Sequence, residues 1–250
     1  MTIATTQTPR VSLDLVGRTL RRIAIAATVI VGGIVYVEPS PHEFVALVAI
    51  VVCFGTGLKL HPLTWPMVFL LLAYIGFGAI AATNTVPLSD GLMWMSVSAF
   101  LAGTAILYAS FVAESPEAHF RLIGWAYVAA AMVPALTGIM GYFGVAGADL
   151  FVLYGRARGT FQDPNVLGPF LVLPFLFLAD GMMRGGWRAI PFRALLIAPI
   201  TLAILLSFSR GAWGHLLASC GLLGFFTFAL SRSIFMRLRV MIVIACGIVF

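Results

Sequence analysis

Tyr154-Gly155-Arg156-Ala157-Arg158-Gly159-Thr160-Phe161-Gln162-Asp163-Pro164-Asn165 is a polar, glycine-bracketed island. It separates an apolar run at about 121–144 from the start of another at about 164–180. A helix of about 20 apolar residues crosses roughly 30 Å of hydrocarbon. The same alternation covers the rest of the chain, with runs at about 22–37, 43–58, 63–82, 90–113, 193–208 and 211–230. Only 10% of the 250 residues are charged and 61% are hydrophobic, whereas a soluble domain carries roughly 25% charged residues. The expectation is an all-α, polytopic transmembrane helix bundle of eight spans. Val240–Phe250 adds an apolar stretch of 11 residues, too short to cross, so a ninth span and a longer protein are expected.

Residues 1–22 read as a cytoplasmic tail ending in an interfacial helix, and residues 23–250 as the transmembrane domain. Val11, Leu13, Leu15, Val16 and Leu20 alternate with Asp14, Arg18, Arg21 and Arg22, which suits a helix lying at a membrane surface; a disordered tail is the other reading. Glu38-Pro39-Ser40-Pro41 stands where a signal peptide would have small residues, so the first run reads as a retained span. Cys53, Cys220 and Cys246 lie in apolar runs and form no CxxC or disulfide framework. The net charge of +6 marks loops on one side of a membrane, so nucleic acid is not an expected partner.

With the N-terminus inside, the inner segments hold Arg10, Arg18, Arg21, Arg22, Lys59, Arg121, Arg184, Arg188, Arg193, Arg232, Arg237 and Arg239, which is 12 of the 15 basic residues. The outer segments hold Arg156, Arg158 and Arg210. Positive charge favours the cytoplasmic side, which fixes this orientation as the expectation. The three exceptions fall in two short turns, 154–165 and Ser207-Phe208-Ser209-Arg210-Gly211. Each arginine either snorkels to lipid phosphate or caps a carbonyl, or the three bind an anion together.

Asp163 suits an N-cap and Pro164 the first helical position. Ser209 suits the N-cap of the last full span. Two helix N-termini and three arginines would then converge, and both features favour an anion. In an extended loop Arg156 and Arg158 point the same way. Gly155, Gly159 and Gly211 permit unusual backbone or close approach. Tyr154 and Phe161 stack on a sugar or pack on helix ends, with packing favoured for Phe161. His215, one turn into the span that follows Ser209, is either functional or hydrogen-bonded across helices. Pro134, Pro169, Pro174 and Pro199 lie within spans and would kink them to open a cavity. Away from their ends the spans lack Asp, Glu, Lys and Arg, which weighs against an ion-coupled transporter. No metal-ligand cluster or nucleotide loop is present.

At these turns the chain resembles the O-antigen ligase and O-antigen (exopolysaccharide) polymerase superfamily. Its outer-face pattern Arg-x-x-Gly-Thr-Phe-x-(Asn/Asp)-Pro-Asn is matched by Arg156, Gly159, Thr160, Phe161, Asp163, Pro164 and Asn165. A second pattern, Ser-Arg-Gly, is matched by Ser209, Arg210 and Gly211. The motifs cover about 60 residues of the chain. The resemblance implies a metal-independent, inverting membrane glycosyltransferase without cofactor, acting in lipopolysaccharide or exopolysaccharide biosynthesis. Its donor would be a lipid-linked oligosaccharide on undecaprenyl pyrophosphate, and its acceptor a glycan or lipid. It would sit in the bacterial inner membrane with a periplasmic active face. Arg156 and Arg210 would be catalytic. Arg156, Arg158, Arg210, Asn165 and Ser209 would bind the pyrophosphate. Gly159, Phe161, Asp163, Pro164 and Gly211 would shape the motif. Family members carry a late periplasmic loop with a functional histidine; His215 is not at that place, so the role is not transferred. Polymerase and ligase both remain open, as do a flippase or exporter of lipid-linked glycan and an inactive scaffold binding anionic lipid.

The orientation has a direct test. Single cysteines at Gly147 or Ala157 should label with an impermeant reagent in intact spheroplasts, and cysteines at Gly185 or Ser233 only after lysis. Labelling of Gly185 in intact spheroplasts would reverse the assignment.

Overall fold

The computed structural model describes residues 10–84, 87–231, 233–235, 237 and 238. Expectations for residues 1–9, Arg232, Arg239, Cys246 and the run 240–250 lie outside the described residues. In order, the elements are α1 (Arg10–Val31), α2 (Pro41–Gly55), α3 (Trp65–Ala82), α4 (Leu88–Glu114), α5 (Pro116–Tyr142), α6 (Ala148–Phe151), β1 (Val152–Leu153), β2 (Arg156–Ala157), α7 (Pro164–Arg184), α8 (Ile190–Leu206) and α9 (Arg210–Leu230). Six described helical segments are long and apolar enough to cross a membrane: Pro62–Ala82, Leu88–Glu114, Pro116–Tyr142, Pro164–Arg184, Trp187–Leu206 and Arg210–Leu230. This is a multi-pass, helical membrane protein. Apolar side chains such as Phe69, Leu70 and Phe77 on α3 stand exposed, as a lipid-facing surface requires.

Three sequence expectations change. Residues 10–22 of the tail and the first run are one helix, α1, because no breaker separates the amphipathic part from the apolar part. It stops at Val31, before Gly32-Gly33, so residues 32–37 are not helical. The second run forms α2, which at 15 residues is shorter than the about 20 of an ordinary crossing. The 154–165 island is not a simple extended loop: β1 and β2 pair antiparallel, Val152 with Ala157 and Leu153 with Arg156.

The chain divides into two compact units, residues 1–28 with 43–123, and residues 29–42 with 124–250. In the first, Ile25, Ala49, Cys53, Leu107 and Phe111 form the buried core. Arg21 joins α1 to the end of α2, Nη1 donating to the Thr56 carbonyl at 2.7 Å, and to the end of α4 through Glu114 at 3.4 Å. His119 stacks on Phe111, with ring centroids 3.8 Å apart.

The second unit is built around α7. Leu167, Leu171, Val172 and Leu178 pack with Ile200, Ala203 and Ile204 of α8 and with Ala212 of α9. Gly168 makes the α7–α9 crossing tight: a Cβ there would lie 2.5 Å from Ala212 Cβ and 3.0 Å from Ser207 Oγ. Small residues serve membrane helices in this way, because contact there depends on close packing. At the other end of α7, Arg193 of α8 donates to the Gly181 carbonyl.

Pro134 is fully buried inside α5, and proline cannot donate to the carbonyl four residues back. That carbonyl, on Ala130, faces Gly33, where a side chain would collide with it. Gly159 presses on the Pro134 carbonyl in the same way and has φ +55. Thr160 completes the join, its Oγ1 donating to the Gly33 carbonyl at 2.5 Å and its carbonyl accepting from Val35 N at 3.0 Å. The motif loop is thus fastened to α5 and to residues 33–35.

Gly159→Ala meets both a disfavoured φ and an occupied space, and should cost about 2–4 kcal/mol. Gly155 has φ +72 with nothing within 4 Å, so Gly155→Ala should cost about 1 kcal/mol. Thermal unfolding in detergent checks this order; equal losses would contradict it.

Candidate functional site

Two non-glycine residues have positive φ among the described residues: Tyr154 at +52 and Phe208 at +46. A bulky residue in this region costs of order 1–3 kcal/mol, and such strain gathers at functional sites. Each lies in one of the two motif turns. Tyr154 and Gly155, both left-handed, close the β1–β2 hairpin as a two-residue loop of type I′ requires. Tyr154 is 90% exposed at the tip. Ala157 is fully buried, so Tyr154 replaces it as the position for a labelled cysteine in this loop. Phe208 lies between the end of α8 and Ser209, near Tyr142 and Trp213, with ring centroids 6.2 and 6.4 Å away.

The sequence turns Asp163 and Ser209 into caps by local rules, and both serve as such. Asp163 accepts from Asn165 N at 2.6 Å and its carbonyl takes Val166 N and Leu167 N. With proline at the first position, the α7 N-terminus has little left to offer a ligand. Ser209 is buried and its Oγ accepts from Ala212 N at 3.3 Å. The backbone N–H groups of Arg210 and Gly211 have no partner among the described residues. The two N-termini are therefore unequal, and the open one belongs to α9. Ser209 acts through this cap.

The three arginines also differ. Arg156 links the turns: Nε donates to the Ser207 carbonyl at 2.7 Å and Nη2 to Asn165 Oδ1 at 2.8 Å. It thereby caps the last turn of α8, where a cation is favourable. Arg158 points elsewhere than Arg156. Nε donates to the Leu150 carbonyl, Nη1 to the Gln162 carbonyl and Nη2 to Tyr36 Oη, at 3.1, 3.4 and 3.0 Å. Its guanidinium also lies 5.0 Å from the Tyr36 ring centroid. Arg158 is a fastener of the loop. Arg210 is exposed and makes no hydrogen bond or ion pair with a described residue. None of the three has a described carboxylate within 4.0 Å.

A guanidinium carries five N–H donors. Arg156 retains three, Arg210 all five, and the α9 N-terminus adds two backbone N–H groups. Each is a donor of the kind that makes charge-assisted bonds to an oxyanion. Phe161, 2% exposed, packs on Phe170 with ring centroids 4.8 Å apart, so it holds the loop. Gly211 is exposed, and its missing side chain leaves the N–H groups accessible. His215 is exposed on α9 and has no hydrogen-bond partner among the described residues. Sequence reasoning missed Tyr36 and Ser207. Neither carries a local signal, because each acts through a partner more than 50 positions away.

No family model matches the chain, and no curated protein or solved structure matches it.

Arg156 and Arg210 should separate in stability. Losing a charged side chain's bonds to the buried Ser207 carbonyl and to Asn165 Oδ1 costs about 1.5–3 kcal/mol, so Arg156→Ala should lower the unfolding temperature. Arg210→Ala should stay within about 0.5 kcal/mol of the parent. Thermal unfolding of both variants in detergent checks this; a large loss for Arg210→Ala would show contacts absent from this arrangement.

Proposed function

We propose that the chain is a membrane glycosyltransferase that polymerises or ligates glycan carried on undecaprenyl pyrophosphate. In this reading α1 and α2 complete eight spans, the N-terminus is cytoplasmic, and the two turns lie at the periplasmic face of the bacterial inner membrane. The observation that carries it is the bond network of Arg156. It draws together the two turns that bear the motif resemblance, beside an open helix N-terminus and the unpaired Arg210. The two strained residues, Tyr154 and Phe208, lie one in each of these turns, Phe208 next to the Ser207 that Arg156 binds.

The chemistry follows from charge. An acceptor hydroxyl attacks the anomeric carbon and releases its proton to water, the bond from that carbon to the pyrophosphate oxygen breaks, and its electron pair stays on the pyrophosphate. Negative charge grows where Arg210 and the α9 N–H groups stand. A preorganised donor at such a position is worth about 3–4 kcal/mol, or about 10²–10³ in rate. Arg156 holds the turns in register and keeps spare donors for the same oxyanion. Arg158 and Asn165 position the loop.

Arg210→Ala should abolish or strongly reduce polysaccharide elongation or ligation with normal protein level and insertion. Arg210→Lys should rescue poorly, because an ammonium lacks the planar fork. Lipid-linked repeat units should accumulate on the outer leaflet. Accumulation on the inner leaflet would indicate an exporter instead, and full-length product without accumulation would reject the catalytic role of Arg210.

A further inference from the structure

The first unit holds a cavity of about 1050 Å³ between the start of α1, the segment after α2 and the end of α4. Arg18, Arg21, Arg22 and Lys59 border it, against the carboxylates of Asp14 and Glu114. Arg21 is committed to Thr56 and Glu114. Arg18, Arg22 and Lys59 have no described carboxylate within 4.0 Å and no hydrogen bond to a described residue. Two wall residues hold buried polar atoms without a partner, Arg21 Nε and Ser110 Oγ. Arg21 is 8% exposed and Ser110 fully buried.

Unpaired cations around one concave space repel each other. An anion in the cavity offsets that charge. Two free guanidinium groups with an ammonium match the several oxygens of a phosphate better than the two of a carboxylate. We propose that this cavity binds a phosphate-type oxyanion, either a soluble phosphate or the phosphate of a lipid headgroup. It shares no residue with the two turns, so it stands or falls independently of the transferase reading.

Arg18 and Lys59 are exposed, so Arg18→Gln/Lys59→Gln should fold normally, with an unchanged unfolding temperature when no probe is added. The purified full chain in detergent is titrated with inorganic phosphate, dioctanoyl phosphatidylglycerol or phosphate-free dioctanoylglycerol, following thermal shift and affinity. Phosphate or phosphatidylglycerol should bind, and the double variant should weaken that binding about tenfold. Arg121→Gln/Arg188→Gln removes equal charge away from the cavity and should change affinity less than about twofold. Binding of phosphatidylglycerol alone assigns a lipid headgroup; binding of both assigns the phosphate itself. The proposal is overturned if neither binds, if dioctanoylglycerol binds as well as phosphatidylglycerol, or if both double variants lose affinity alike.

Discussion

The two-pronged contact of Arg156, Nε to the Ser207 carbonyl and Nη2 to Asn165 Oδ1, is the interaction on which the candidate site depends. It ties the end of α8 to the first turn of α7, and so holds the hairpin loop against the turn that starts α9. Backbone packing prepares the place. Gly168 lets α7 and α9 meet beside Ala212, while Gly159 and Thr160 fix the loop to Pro134 and Gly33. Arg210 is left outside this network with its full charge and no described counterion. A guanidinium with no partner among the described residues is available to support a ligand.

Much of the helical layout was legible because hydrocarbon is an exacting solvent. A span must be long, apolar and internally hydrogen-bonded, so α3–α5 and α7–α9 announce themselves by run length. Caps were legible too, since Asp163-Pro164 and Ser209 act within one turn of their own position. The first helix was not. Its polar and apolar parts follow one another without a breaker, and only Gly32-Gly33 ends it. The hairpin was equally hidden, because its strands have two residues each and Tyr154 is not a residue type that signals positive φ.

The division of labour among the arginines lay beyond local rules. Arg156 and Arg158 are separated by one residue, yet one reaches Ser207 and the other Tyr36. Sequence could gather them as cations on one loop. It could not tell a fastener from a free donor, because that depends on which distant carbonyls lack a partner. The unequal N-termini of α7 and α9 have the same origin: Asp163 with proline closes one, whereas the two amides after Ser209 stay open.

The central claim is that both turns serve one oxyanion, and direct binding tests it most plainly. Farnesyl pyrophosphate, a short carrier of the same head group, can be titrated into the purified full chain in nanodiscs, with farnesol as the uncharged control. The account predicts binding of the pyrophosphate but not of the alcohol, weakened about tenfold by Arg210→Gln on one turn and by Arg156→Gln on the other. Unchanged affinity in both variants would contradict a site shared between the turns.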